Sequence, residues 1–158
     1  MRELTLKRAA GAGAASGFIA TVPMTAVMLL LQRLLPARER YPLPPEQMAE
    51  QLASAVSDDG TVQPQTRRAI ALPMHFGFGV VGGALFGVSL GRTRLAPVLS
   101  AIPFALLVWT VSYLGWIPAA GISPPATDQP VRRNALMIAA HVVWGAATGA
   151  SFRTLTTR

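Results

Sequence analysis

Leu95-Ala-Pro-Val-Leu-Ser-Ala-Ile-Pro-Phe-Ala-Leu-Leu-Val-Trp-Thr-Val-Ser-Tyr-Leu-Gly-Trp-Ile-Pro-Ala-Ala-Gly-Ile-Ser123 runs for 29 residues without a charge. A helix needs roughly 20 apolar residues to cross a hydrocarbon core of about 30 Å, so this stretch is long enough to span. Three other stretches read the same way. Residues 9–32 carry no charge, 69–91 none apart from His75, and 134–152 hold only His141 as an ionisable group. The last, at 19 residues, is the shortest. A soluble four-helix bundle would need a polar outer face on each helix; these segments are apolar all round. The expected fold is therefore all-α: an integral-membrane four-helix bundle forming one transmembrane domain over residues 1–158. Its helices are expected at about 9–35, 69–91, 95–117 and 134–153.

Composition agrees. The chain is 51% apolar and 13% charged, against about 25% charged in ordinary soluble domains. It has no cysteine, which excludes disulfides, iron–sulfur clusters and thiolate zinc sites. The net charge of +7 does not mark a nucleic-acid binder. Its bases bracket the apolar stretches (Lys7, Arg8, Arg33, Arg67, Arg68, Arg92, Arg94, Arg132, Arg133, Arg153) as headgroup anchors do, and no basic face or aromatic platform accompanies them. The first apolar run follows Lys7 and Arg8 as in a signal peptide, but it is too long for that and three further spans follow, so it reads as an anchor. The expected partner is the lipid bilayer, with a homo-oligomer or a larger membrane complex as further options.

Four spans put both termini on one side. Seven Lys and Arg then fall on each side, so the positive-inside rule is tied. Six of the seven acids (Glu39, Glu46, Glu50, Asp58, Asp59, Asp128) lie opposite the termini. The longer, more mixed loops suit an outward face, and the termini are expected in the cytoplasm. The first of those loops, about 36–68, opens with Tyr41-Pro-Leu-Pro-Pro45, too rich in proline for regular helix. Residues 46–57 then read as a short amphipathic helix with Met48, Leu52 and Val56 on one face, lying on the membrane surface, capping the bundle or packing on the domain as an ordinary loop helix. In the last loop, 118–130, Asp128 is expected to pair with Arg132 or Arg133. Trp109, Tyr113 and Trp116 read as an interfacial aromatic belt.

Two segments repeat. His75-Phe-Gly-Phe-Gly79-Val-Val-Gly-Gly83-Ala-Leu-Phe86 and His141-Val-Val-Trp-Gly145-Ala-Ala-Thr-Gly149-Ala-Ser-Phe152 share H-x3-G-x3-G-x2-F at a constant offset of 66, each after an Arg-Arg pair. Pro23 and Pro103 are the candidate match between the other two helices. The economical reading is a duplicated helical hairpin. Glycines four apart share a helix face and let backbones approach closely. Gly79, Gly83, Gly145 and Gly149, together with Gly13 and Gly17 of the first helix, are therefore expected to be helix-packing residues.

His75 and His141 are the intramembrane functional candidates, since an ionisable group within a span usually faces the interior with a partner. Each lies on the order of 10 Å below the same membrane face at 1.5 Å per residue. Three chemistries fit. A pair of nearby imidazoles titrates as a unit, which suits a proton path or a pH sensor. Bis-histidine ligation of haem b between two helices is the second, with the glycines making room for a flat macrocycle. Metal transport is the third and weakest, because two histidines without Cys or an intramembrane carboxylate make a poor cage; no metal site and no resident cofactor are expected. The plain alternative is that each ring bonds a neighbouring carbonyl or hydroxyl, such as Thr25, Ser112 or Tyr113, and fixes packing. No nucleophile–base pair can be assembled, so the expected role is non-enzymatic. An accessory subunit of a larger complex remains beside it.

The run Pro118-Ala-Ala-Gly121-Ile-Ser-Pro124-Pro125, then Asp128-Gln-Pro130, then His141-Val-Val-Trp144-Gly145 resembles the C-terminal half of YagU-like bacterial inner-membrane proteins. Gly17-Phe-Ile-Ala-Thr21 and the His75 helix are similar to that group's earlier spans, and the likeness is clearest over 118–145. In that group an acidic residue stands close before the last helix's histidine. Here the stretch is Met137-Ile-Ala-Ala140, so a proton relay does not carry over. The group has no settled activity; the resemblance implies a fold and a location, the bacterial inner membrane.

Overall fold

The computed structural model describes residues 4–40, 42, 44–54, 63–93 and 95–157. Five helices dominate it. Helix α1 is Leu6–Leu34, α2 is Pro44–Ser54 and α3 is Pro64–Val88. Helix α4 spans Pro97–Ala119 and α5 Val131–Thr156. Short 3-10 turns lie at Ala37–Glu39, Leu90–Arg92 and Ala126–Asp128. There is no strand among the described residues. Among the described residues four segments are long and apolar enough to cross a membrane: Leu6–Leu34, Ala69–Arg92, Pro97–Ala119 and Val131–Thr156. The protein is a multi-pass membrane helical bundle.

The helix ends follow from local chemistry. Thr5 caps α1, its hydroxyl accepting from the Arg8 amide at 3.4 Å. At the other end Arg40 folds back, its guanidinium donating to the carbonyls of Leu35 at 2.7 Å and Arg33 at 2.8 Å. Carbonyls there lack helical partners and carry the negative end of the dipole, so a cation suits them. Prolines start α3 and α4, where the missing amide costs nothing. α3 begins at Pro64, before the expected residue 69, because charged residues can wind the first turn outside the apolar core. The same applies to α5, which opens with Val131-Arg-Arg133.

α4 is not uniform. It is α-helical over Pro97–Val111, passes through a π turn at Ser112–Trp116 and closes with Ile117–Ala119. A π turn holds one extra residue and so rotates the succeeding residues about the axis. Tyr113, near its start, and Ile117, just after it, are both buried.

Helices α1 and α3 are pressed together on bare backbone. A Cβ on Gly17 would stand 2.9 Å from the Gly83 Cα, and one on Gly83 would stand 2.7 Å from the Gly17 Cα. Gly13 and Gly87 continue the seam, with Gly13 against the Gly83 carbonyl and Gly87 against that of Ala9. α4 and α5 meet similarly. A Cβ on Gly145 would come 2.7 Å from the Ala101 carbonyl, and one on Gly149 would come 2.5 Å from the Val98 Cα. In a bilayer, where burial from water does not drive helices together, such close approach is what holds them.

α1 also packs along α5, through Ala20, Met24 and Met28 against a core that includes Leu136, Met137, Ala140 and Trp144. The Trp144 indole N–H donates to the Gly17 carbonyl at 3.2 Å. α3 and α4, by contrast, scarcely touch. The bundle is thus ordered α3–α1–α5–α4, with a gap between its two outer members.

The short helix α2 packs on α3, and its Met48 and Ala49 are buried. It caps the loop end of the bundle, where the Gln51 amide donates to the Gly121 carbonyl at 2.9 Å. It starts two residues earlier than the sequence suggests; residues 55–57 of the expected helix, including Val56, lie outside the described residues, as does the side chain of Leu52. The expected ion pair of Asp128 is replaced. Among the described residues Arg132 reaches Glu39 at 3.8 Å, and Asp128 accepts from its neighbour Thr127 at 3.1 Å.

Gly83→Ala forces the α1 and α3 backbones apart and should cost about 1–3 kcal/mol. Gly77 has nothing within 4 Å of where its Cβ would stand, so Gly77→Ala should be neutral or stabilising by up to about 1 kcal/mol. Unfolding in mixed detergent micelles measures both; equal losses would mean that the close seam does not set stability.

Candidate functional site

Because α3 and α4 stand apart, a cavity of about 380 Å³ lies between them, backed by α1 and α5 and closed at the loop end by Pro45 and Met48 of α2. Its walls are almost wholly apolar. Both histidines reach it: His75 from α3 and His141 from α5. Among the described residues no group of three His, Cys, Asp or Glu is gathered anywhere.

The two rings are held differently. His141 is 7% exposed and its Nδ1 lies 2.8 Å from the Met137 carbonyl one turn earlier. A carbonyl can only accept, so Nδ1 carries the hydrogen. That fixes the neutral tautomer and leaves Nε2 with a free lone pair. The Tyr113 ring and the imidazole meet edge to face, with centroids 6.0 Å apart and planes at 90°. His75 has its Nε2 buried without a hydrogen-bond partner. Of the bonds that would make the histidines mere packing residues, His141 has one and the His75 Nε2 has none; neither ring uses Thr25, Ser112 or the Tyr113 hydroxyl.

Tyr113 was not legible as a cavity residue. It is 6% exposed, stacks on Trp109 at 5.9 Å and donates its hydroxyl to the Met137 sulfur at 3.6 Å. The aromatic belt expected here is instead core for Tyr113, and Trp109 packs against it. Trp116 stays partly exposed and stacks on Phe78 across the gap, centroids 5.7 Å apart. Phe86 and Phe104 bridge the gap nearer the other end, also at 5.7 Å. Between these aromatic pairs, Val81 and Leu85 of α3 and Leu107 and Val111 of α4 line the cavity, and each is about half exposed. Those exposed faces lie inside membrane spans, so the cavity opens sideways into the bilayer.

The repeat glycines do not widen this space. Gly83, Gly145 and Gly149 pack against neighbouring helices away from it. Gly79 lines it, but the room for its Cβ is taken by Thr21 and by the Gly17 carbonyl at 3.0 Å. Gly82 makes the one opening the sequence did not flag; a Cβ there would meet the Trp144 ring at 3.1 Å.

Along α5 the spacing Arg133, Met137, His141 puts all three on one face. Arg133 is 2% exposed. It donates to Gln129 Oε1 at 3.0 Å and to the Pro42 carbonyl at 2.9 Å, tying the first loop to the last helix. Gln129 in turn donates to the Pro124 carbonyl at 2.6 Å, and Asn134 to that of Ala126 at 2.6 Å. The proline-rich loop is thereby fixed over the loop end of the bundle. The four-residue spacing could have flagged Arg133; Tyr113 stands at the same spacing from Trp109 and Ile117, but in a helix apolar all round that spacing marks no single face.

Trp144→Phe removes the buried bond to the Gly17 carbonyl and should cost about 0.5–1.5 kcal/mol. Tyr113→Phe gives up only a hydroxyl–sulfur contact and should cost less than that. Detergent unfolding of both variants ranks them, and the reverse order would show that the α1–α5 bond is not the stronger tie.

No curated protein and no solved structure matches the chain. Residues 11–149 match the model of the family described as "Protein of unknown function (DUF1440)". That match takes in both histidines, the four spans over most of their length and the glycine seams, and the chain belongs to this family.

Proposed function

We propose that the chain is a small, non-enzymatic protein of a bacterial inner membrane that responds to protons through His75 and His141. The observation that carries this reading is that both imidazoles line one apolar cavity, with the Nε2 of His75 buried and unpartnered. A proton taken up there places a charge where no counter-charge waits. The Tyr113 ring of α4 packs on His141, and His75 of α3 lines the same cavity. α1 contributes Thr21, Met24 and Met28, and α2 contributes Pro45 and Met48, none of them charged. The nearest cation on its own helix, Arg133, is about two turns away. Two rings that interact strongly across such a space titrate as one site. The bundle gives most easily where it is least packed, between α3 and α4, so charging the pair draws in water and widens that gap.

The wider setting belongs to the same reading. The chain is taken as YagU-like, with its termini in the cytoplasm and the acid-rich loops outward. The hairpins α1–α3 and α4–α5 are taken as a duplication. Gly79 and Gly83 lean on Gly13, Gly17 and Thr21, as Gly145 and Gly149 lean on Pro97, Ala101 and Ala105 or their neighbours. That matches the first helices of the hairpins at an offset of 84, one turn from the pairing of Pro23 with Pro103. The glycines are thus occupied within the chain, so an accessory subunit would have to meet a larger complex through other surface.

Tryptophan emission of the protein in lipid nanodiscs, recorded from about pH 8 to about pH 4, tests the reading. A sigmoidal transition is expected in the wild type and should disappear in the His75→Gln/His141→Gln double variant with helicity unchanged. Identical curves would sink the proton-linked reading. A Soret band in the purified protein would replace it with haem ligation by the same two rings.

A further inference from the structure

Taking the His75–His141 cavity as the functional site, and so resting on the proposed function, we propose that it binds a neutral, tailed ring bearing a hydroxyl, of the hydroquinone class, drawn from the bilayer through the gap between α3 and α4. The route is set by the half-exposed apolar side chains of the gap, which face hydrocarbon. The head chemistry is set by the imidazoles. With Nδ1 given to the Met137 carbonyl, neutral His141 presents Nε2 as an acceptor and needs a donor. His75 leaves a second buried ring nitrogen to be satisfied, and an unmet polar group is costly in so apolar a space.

Other occupants meet these demands less well. An acyl chain would fill the volume and leave both nitrogens bare. A carboxylate would find no Lys or Arg among the lining residues and would be a buried charge without a partner. A neutral ring hydroxyl supplies a donor to His141. Its flat faces suit the aromatic surroundings: Trp144 beside the bare Gly82, the Phe78–Trp116 stack, and Tyr113. An alkyl tail lies out between Val81 and Leu107 into the lipid.

The test is binding, read as tryptophan quenching in nanodiscs at neutral pH under anaerobic conditions. The probes are decyl hydroquinone and its dimethyl ether, which keeps the ring and tail but has no donor. The hydroquinone should quench saturably and bind at least about fivefold tighter than the ether, the worth of one hydrogen bond. In His141→Phe that preference should vanish, and in Gly82→Leu, which keeps both imidazoles but narrows the slot, both probes should weaken. If His141→Phe does not fold, the wild-type comparison with Gly82→Leu still decides. Quenching that rises linearly with probe and is the same in every variant is mere partitioning into lipid and overturns the proposal. So does a preference for the hydroxyl that survives in His141→Phe, or equal displacement of the probe by decane. The pH transition is measured without ligand, so it can persist when this proposal fails and fail when this one holds.

Discussion

The carbonyl of Gly17 sits where three helices meet. Its own helix lies against α3 on bare backbone, and the Trp144 indole of α5 donates to it. Only glycine at 13, 17, 79, 83 and 87 allows α1 and α3 so close. That closeness brings α1 into line to receive α5 on its other side. In a membrane, where water supplies no drive for helix association, this shape fit has to carry the assembly. The rest of the arrangement follows from α1 being the helix against which both neighbours are set.

One consequence is an imbalance between two contacts that a duplicated hairpin would make alike. If α1 corresponds to α4 and α3 to α5, the α1–α5 contact has α4–α3 as its counterpart. The first is packed with Ala20, Met24, Met28, Leu136 and Ala140; the second is open. The π turn of α4 belongs to that difference. It carries Tyr113, which is buried and packs at right angles to the His141 ring, and Trp116, which bridges to Phe78. Strict symmetry would have filled the space; its loss leaves a cavity with two imidazoles in it.

The number and place of the membrane helices could be read from uncharged length alone, because the bilayer imposes a thickness that composition must match. The glycines could be read as contact residues because a four-residue spacing is itself a face. The partners of those faces could not. Gly145 meets Ala101 and Gly149 meets Val98, and alanine or valine in an apolar helix carries no mark of which neighbour it touches. The histidines stood out as ionisable groups at one depth. The cavity joining them depends on two helices failing to meet, and an absent contact leaves no residue pattern. Tyr113 was hidden for a related reason: α4 is apolar all round, so its spacing from Trp109 and Ile117 does not tell a core side chain from an interfacial one. Helix ends run beyond the uncharged stretches where charged residues, such as Arg132 and Arg133, continue a helix past the apolar core.

The sideways opening also changes what concentration means at this site. A molecule arriving through the gap between α3 and α4 comes from the hydrocarbon, so its activity is set by how strongly it partitions there. Each methylene of a tail contributes about 0.8 kcal/mol to partitioning, roughly a fourfold enrichment, so a ten-carbon tail concentrates its bearer by several orders of magnitude. Contacts in the cavity that would be far too weak to capture a ligand from water are then enough to hold one. Occupancy would follow the make-up of the membrane and not the aqueous pool beside it.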